Sequence, residues 1–167
     1  MKAPICNVCL KSDQLCSACQ QKLDDGDITE KEIEVSRILH DLSTDYGSLK
    51  DSTIEGVHDA EKVVVVITAE GDGAKVVGRN GEIVKELADR IDKSIRVVEA
   101  AEDDMEVIKG LLSPAEVKSV NTVFMPDGEY KKIVVDEDFE GKINLSEDEF
   151  EEIVERITGT EYKLAFE

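Results

Sequence analysis

The sequence predicts an α+β fold: a short cysteine-stapled segment, then two small units of mixed helix and strand. All four cysteines fall between Cys6 and Cys19, as two Cys-x-x-Cys pairs. Residues 62–68, Lys-Val-Val-Val-Val-Ile-Thr, form an unbroken apolar run of strand length, which implies burial on both faces. Two capping-box signatures, Thr29 with Glu32 and Ser146 with Glu149, each open a stretch of helical apolar period.

Residues 1–25 have too few apolar side chains for a core of their own and form the first predicted domain, with Lys22–Asp27 read as a linker. The second predicted domain, residues 28–100, opens with a helix over 29–46. Val35, Ile38, Leu39, Leu42 and Tyr46 repeat there at helical spacing, and Gly47 is expected to end it. A weak strand over 49–57 and the strong one over 62–68 follow, and Gly71-Asp72-Gly73 breaks the second. Ala74–Val77 reads as a short helix and Gly78–Gly81 as a loop. Val84, Leu87, Ala88 and Ile91 then mark the apolar face of a longer helix, and Ile95–Val98 is a closing strand. The order is α-β-β-α-α-β.

The third predicted domain, residues 101–167, repeats that order without the short helix and the glycine loop. Asp103 and Glu106 cap a helix bearing Val107, Ile108, Leu111 and Leu112, which Ser113-Pro114 ends. Lys118–Phe124 and Tyr130–Val135 form a hairpin across Met125-Pro126-Asp127-Gly128. Phe150, Ile153, Val154 and Ile157 line the next helix, Gly159 caps it, and Glu161–Phe166 alternates as a final strand. The result is an αββαβ unit, a degenerate second copy.

Hydrophobic residues fill 41% of the 167 positions but aromatics only 4%, so the core must be built from Val, Ile and Leu. No apolar run approaches the ~18 residues of a membrane span. The N-terminus, Met1-Lys2-Ala3-Pro4-Ile5-Cys6, lacks the apolar stretch of a signal peptide, so the expected location is cytoplasmic. The net charge of -19 runs against the basic character that phosphate binding favours. Its distribution is uneven. Basic and acidic residues number 7 and 14 over 1–70, 6 and 5 over 71–98, and 7 and 20 over 99–167, for nets of -7, +1 and -13. The acid excess fits solubility in a salty cytoplasm, ordinary solvated faces, or a docking surface for a basic partner.

Six residues separate Cys6-x-x-Cys9 from Cys16-x-x-Cys19. Each pair can present both sulfurs to one side of a metal, and two pairs complete a tetrahedral thiolate set, which makes one structural Zn²⁺ the expected cofactor. Iron, a disulfide pair and a redox dithiol are the competing readings. In the non-acidic window, Gly78-Arg79-Asn80-Gly81 lies between two helical patterns just beyond the buried strand. Glycines there allow a sharp turn and close approach of a nucleic-acid backbone, and the start of the next helix offers N–H groups to phosphate. Arg79 adds a cation, Asn80 is expected to cap that helix, and Lys75 and Lys85 flank the loop. Val76, Val77 and Ile83 are expected to floor a groove for bases. This is the arrangement by which KH domains clamp about four nucleotides of single-stranded RNA. A dinucleotide-binding turn at Gly71-x-Gly73, with Glu99 as ribose ligand, competes weakly because Val76 stands where a third glycine belongs. His40 and His58 are isolated, and no catalytic constellation is found, so a non-enzymatic protein is expected.

On the paired cysteines at 6–19, the helix at 29–46, Val-Val-Gly-Arg-Asn-Gly at 76–81 and the segment from Val120-Asn121-Thr122-Val123 to Pro126-Asp127-Gly128, the chain resembles archaeal NusA-like KH proteins with a cysteine-rich N-terminus. The resemblance implies a zinc knuckle, a type II KH domain, RNA binding, and a role in transcription elongation or termination. RNA polymerase or the ribosome would then be the protein partner. A different class of function is an interaction adaptor, in which the zinc knuckle and the acidic C-terminal unit dock on such machinery. A third is an enzyme with a redox dithiol or nucleotide site.

Overall fold

Thr29 opens the helix that organises the first half of the chain. Its hydroxyl accepts the Glu32 N–H, and the Glu32 carboxylate accepts the Thr29 N–H, each at 3.2 Å, closing the expected capping box. The computed structural model describes every residue from Met1 to Glu167. It divides into two units: Met1–Asp59 with Val63–Glu99, and Ala100–Glu167 with Ala60–Lys62.

The first unit begins with Asn7–Leu10 (α1) and Ser17–Asp24 (α2), followed by the capped helix Glu30–Leu42 (α3). The residues read as a linker at 22–27 are in part helical, because α2 runs through Lys22 to Asp24. α3 ends at Leu42 rather than near Gly47; a turn leads into a 3-10 helix over Gly47–Asp51. Strands Ile54–Asp59 (β1) and Val63–Ala69 (β2) pair antiparallel, with a bulge between Ile54 and Gly56. Gly73–Val77 (α4), a 3-10 turn over Arg79–Gly81 and Glu82–Ile91 (α5) lead to Ser94–Ala100 (β3), which joins β2.

β2 is buried from Val63 to Thr68, as its unbroken apolar run requires. Val64 and Val66 pack with Val35, Leu39 and Leu42 of α3 and with Ile83 and Leu87 of α5. Burying side chains of this size is worth roughly 1.5–3 kcal/mol each, so this cluster is the main stabilising term of the unit. Glu32 does more than cap: it is 1% exposed and its second oxygen accepts the Val57 N–H at 3.2 Å, tying α3 to β1.

The second unit carries Asp104–Leu112 (α6), the hairpin Val117–Met125 (β4) and Gly128–Val135 (β5), then Glu147–Thr158 (α7) and Tyr162–Phe166 (β6). β5 pairs antiparallel with β4 and parallel with β6, in the order β4-β5-β6. Asp103 caps α6 through the Met105 N–H (2.9 Å), whereas the Ser146–Glu149 capping box of α7 forms as expected. Val107, Ile108, Leu111, Ile133, Phe150 and Ile153 are fully buried. Between β5 and α7, where the first unit has α4 and the glycine loop, this unit has Asp136-Glu137-Asp138 and a 3-10 turn.

Candidate metal centre and nucleic-acid interface

The cysteine segment has no long helix or strand, so its own backbone arranges the thiols. The two Cys-x-x-Cys pairs each straddle the start of a short helix, with Cys6 and Cys16 at the N-cap positions. The four sulfurs lie within 4.8 Å of one another, and none is in a disulfide. Cys6 Sγ stands 3.4 Å from Cys9 Sγ and 3.9 Å from Cys16 Sγ. A tetrahedral ion with metal–sulfur bonds of about 2.3 Å needs sulfurs about 3.8 Å apart, so these four cysteines can hold a metal ion with little movement.

Backbone donors already favour thiolate at part of the set. The Cys19 N–H, 3.4 Å from Cys16 Sγ, is the chief cause that brings the Cys16 thiol down to about 6. The Cys9 N–H does the same for Cys6, which also sits below its ordinary value. At Cys9 the Cys16 N–H (3.1 Å) acts in that direction too, but burial and the neighbouring thiols outweigh it and push the group up to about 12. A cation held among the sulfurs would supply the charge needed to ionise all four. The segment is anchored on α3: Ile5, Cys9, Leu10 and Cys19 pack with Ile28 and Ile33, and Arg37 Nε donates to the Cys9 carbonyl at 3.1 Å. Lys2 pairs with the 52–54 backbone at its other end.

In the Gly78–Gly81 loop, three of four residues hold positive φ: Gly78 at 78°, Asn80 at 56° and Gly81 at 74°. Arg79 and Asn80 are exposed. A Cβ added at Gly81 would meet nothing within 4 Å, so this side of the loop is open to an approaching chain. The expected cap does not form: Gly81 occupies the N-cap position of α5, and Asn80, in the left-handed region, makes no cap bond. Glu82 places a carboxylate in the first turn of α5.

The expected groove floor needs correction. Val76 and Ile83 are 0% and 1% exposed and belong to the α3–β2–α5 core, so they support the loop from beneath and leave only Val77 half-buried at the surface. Lys85 is exposed, but Lys75 is committed elsewhere. Its ammonium reaches Asp72 at 2.8 Å and the Asp51 carbonyl at 3.2 Å, and its own carbonyl accepts from Ser48 at 2.9 Å. Asp72 in turn accepts the Thr53 N–H at 2.8 Å, and Lys75 with Thr53 holds its carboxyl below the usual range. Lys75 and Asp72 thus fix α4 against the 48–53 segment. The spacing of Asp72 and Lys75, i and i+3, was the only sequence signal for that pair.

The dinucleotide reading is overturned at Glu99. Its two carboxylate oxygens accept the N–H groups of Gly71 (3.0 Å) and Gly73 (2.9 Å). Those are the donors on which a pyrophosphate would rest, and the chain's own side chain occupies them.

No protein-family model matches the sequence. Over 69 residues, 41% of the chain, it is 36% identical to "Probable transcription termination protein NusA" of Methanococcus vannielii. The matched stretch spans 39% of that protein's length, so the likeness is partial, and it supports a NusA-like relationship. The fold is similar to the crystal structure of APE1850, with a TM-score of 0.55 and 21% identity over 78% of this chain and 96% of that one.

Proposed function

We propose that the chain is a non-enzymatic RNA-binding protein whose residues 28–100 form a type II KH domain, with Gly78-Arg79-Asn80-Gly81 clamping single-stranded RNA. The observation that carries this reading is the loop's backbone: three positive-φ residues in four, between α4 and α5, with open space over Gly81. Such a turn lets a phosphate backbone approach the α5 N-terminus without meeting a Cβ. The surrounding window, residues 71–98, has a net of +1 in a chain of net -19, so phosphate is repelled least there. The element order α3-β1-β2-α4-α5-β3 supports it, as does partial similarity to a protein named for transcription termination. Transcription elongation or termination is therefore the proposed context, in the cytoplasm, with RNA polymerase as the proposed protein partner. Residues 101–167 are a degenerate KH-like unit that has lost the loop. Cys6, Cys9, Cys16 and Cys19 form a zinc knuckle whose metal is structural.

The test replaces Arg79 and Asn80 together by Asp and follows binding of a labelled single-stranded oligoribonucleotide by anisotropy at several salt concentrations. Two carboxylates at the phosphate position add repulsion of roughly 1–4 kcal/mol each, and loss of Arg79 lowers the salt slope by about one. Both positions are exposed, so the fold should persist. A folded double variant that binds RNA as tightly as the parent would overturn the clamp and leave the adaptor reading in its place.

A further inference from the structure

β4 is one of the two outer strands of the second sheet. Glu167 donates its N–H to the Val135 carbonyl at 2.9 Å, so Val135 directs its backbone toward β6. Alternation along β5 then aims Val134, Lys132 and Tyr130 at β4, where they face Ser119, Asn121 and Val123. Val120, Thr122 and Phe124 are the intervening residues, and their N–H and C=O groups point away from β5, on the open side of the sheet. Their side chains share one face, and Val120 is 43% and Phe124 79% exposed.

Exposed strand edges of this kind invite pairing, and proteins usually blunt them. β1, an outer strand of the first sheet, is blunted: Val57 donates to Glu32 at 3.2 Å and Ile54 to the Lys2 carbonyl at 2.8 Å. No comparable bond closes β4. Beside it, a hollow of about 570 Å³ brings Val120 and Thr122 together with Glu102, Asp103 and Asp104 at the start of α6. Lys131, the cation in that hollow, sits over the Tyr162 ring at 5.7 Å.

We propose that β4 is a docking strand for an extended, lysine- or arginine-bearing segment of another protein, paired edge to edge along Val120–Phe124. Main-chain bonds supply the register, apolar residues of the segment cover Val120 and Phe124, and its cations meet the carboxylates. Charge decides against other occupants. RNA phosphates meet three acidic side chains in a region of net -13, and a second copy sets two such regions against each other on chains of net -19.

The probe is a fluorescein-labelled nine-residue peptide of alternating valine and lysine, titrated with the full chain and followed by anisotropy. Binding should be saturable and map to β4 in amide spectra. It should weaken by about tenfold or more when glutamate replaces lysine in the peptide, and again when alternate peptide amides are N-methylated, which removes the pairing donors. Thr122→Pro, at an outward N–H that an edge strand can spare, should weaken it comparably. N-methylation without effect would mean diffuse attraction to an acidic surface and would overturn the proposal. So would competition by an oligoribonucleotide, or a dimer in sedimentation that the peptide dissociates. Because the peptide, not RNA, is the ligand, failure here leaves the clamp of Gly78–Gly81 untouched, and the converse also holds.

Discussion

Gly78 and Gly81 hold nearly the same φ, 78° and 74°, yet alanine should be tolerated very differently at the two positions. Gly78 combines its φ with ψ 175°, a region essentially reserved to glycine, and holding another residue there costs about 1–3 kcal/mol. An added Cβ would stand 2.6 Å from Ile83 Cγ1 and 2.9 Å from its Cδ1. Ile83 is 1% exposed within the core and has no room to swing clear, so overpacking adds about another 1–3 kcal/mol. Gly78→Ala should therefore lose about 2–6 kcal/mol, a large share of the ~5–15 kcal/mol that holds a domain together. At Gly81, ψ is 19° and nothing lies within 4 Å of the new Cβ, so only the left-handed penalty of about 1–2 kcal/mol remains. Urea unfolding followed by circular dichroism measures both. Equal losses, or a Gly78→Ala midpoint indistinguishable from the parent, would refute the claim that Ile83 locks the loop from below. Because Gly81→Ala should stay folded, it is also the cleaner variant for RNA binding, since its methyl projects where the phosphate backbone is proposed to lie.

Metal analysis should find about one zinc per chain. Cys9→Ser or chelation should destabilise the first unit as well as loosen residues 1–25, because Cys9 packs with Ile33 and its carbonyl holds Arg37; unchanged unfolding of that unit after complete metal removal would contradict this. Glu99→Ala should cost about 1–3 kcal/mol for the Gly73 N–H left unpaired away from solvent, the exposed Gly71 N–H passing to water; thermal unfolding reads the loss, and the change should not create nucleotide binding. Burial, together with the bond its hydroxyl donates to Asp104 at 2.7 Å, pushes Tyr162 up to about 12. The folded form therefore prefers the neutral phenol, so its contribution is complete below the ordinary tyrosine value of about 10 and is lost as pH rises through 12. Tyr162→Phe should remove that alkaline slope from the unfolding midpoint, and a slope that survives in the variant would assign it to other groups.

What the sequence made legible follows from where local signals are strong. The capping boxes at Thr29 and Ser146 appear because one residue and its i+3 partner contain the whole motif. β2 appears because its burial on both faces writes itself as an apolar run. The cysteine cluster appears because two pairs at short spacing have few ways to avoid each other. What stayed hidden depends on partners far apart in sequence. The Gly-x-x-Gly pattern announces a sharp turn but not that Ile83 lies under it, so Val76 and Ile83 read as a surface floor when they are core. Lys75 counts as a flanking cation until Asp72 and Asp51 are seen to hold it. Glu99 reads as a ligand residue until it is found on the amides of Gly71 and Gly73, 28 and 26 positions away.

Two units of nearly the same element order differ in the connection that follows their middle strand. In the first, the β2-to-β3 connection spends its residues on α4, a left-handed turn and a helix start, and the local charge is close to neutral. In the second, the corresponding connection is Asp136-Glu137-Asp138 with a 3-10 turn, and no run of positive-φ residues lies beside the start of α7, where only Gly141 and Asn144 are left-handed. A phosphate has no backbone pocket to enter there and faces a carboxylate run instead. The edge strands diverge in the opposite sense: β1 is sealed by Glu32 and Lys2, while β4 keeps Val120, Thr122 and Phe124 unpaired. On the reading proposed here, the first unit keeps backbone-phosphate recognition at its glycine loop and the second keeps strand addition along β4. The two interfaces are then separable, and a chain carrying Arg79→Asp with Asn80→Asp should lose RNA while still binding the valine–lysine peptide with the parent's affinity. Coincident loss of both in a folded double variant would mean that a single surface serves both ligands.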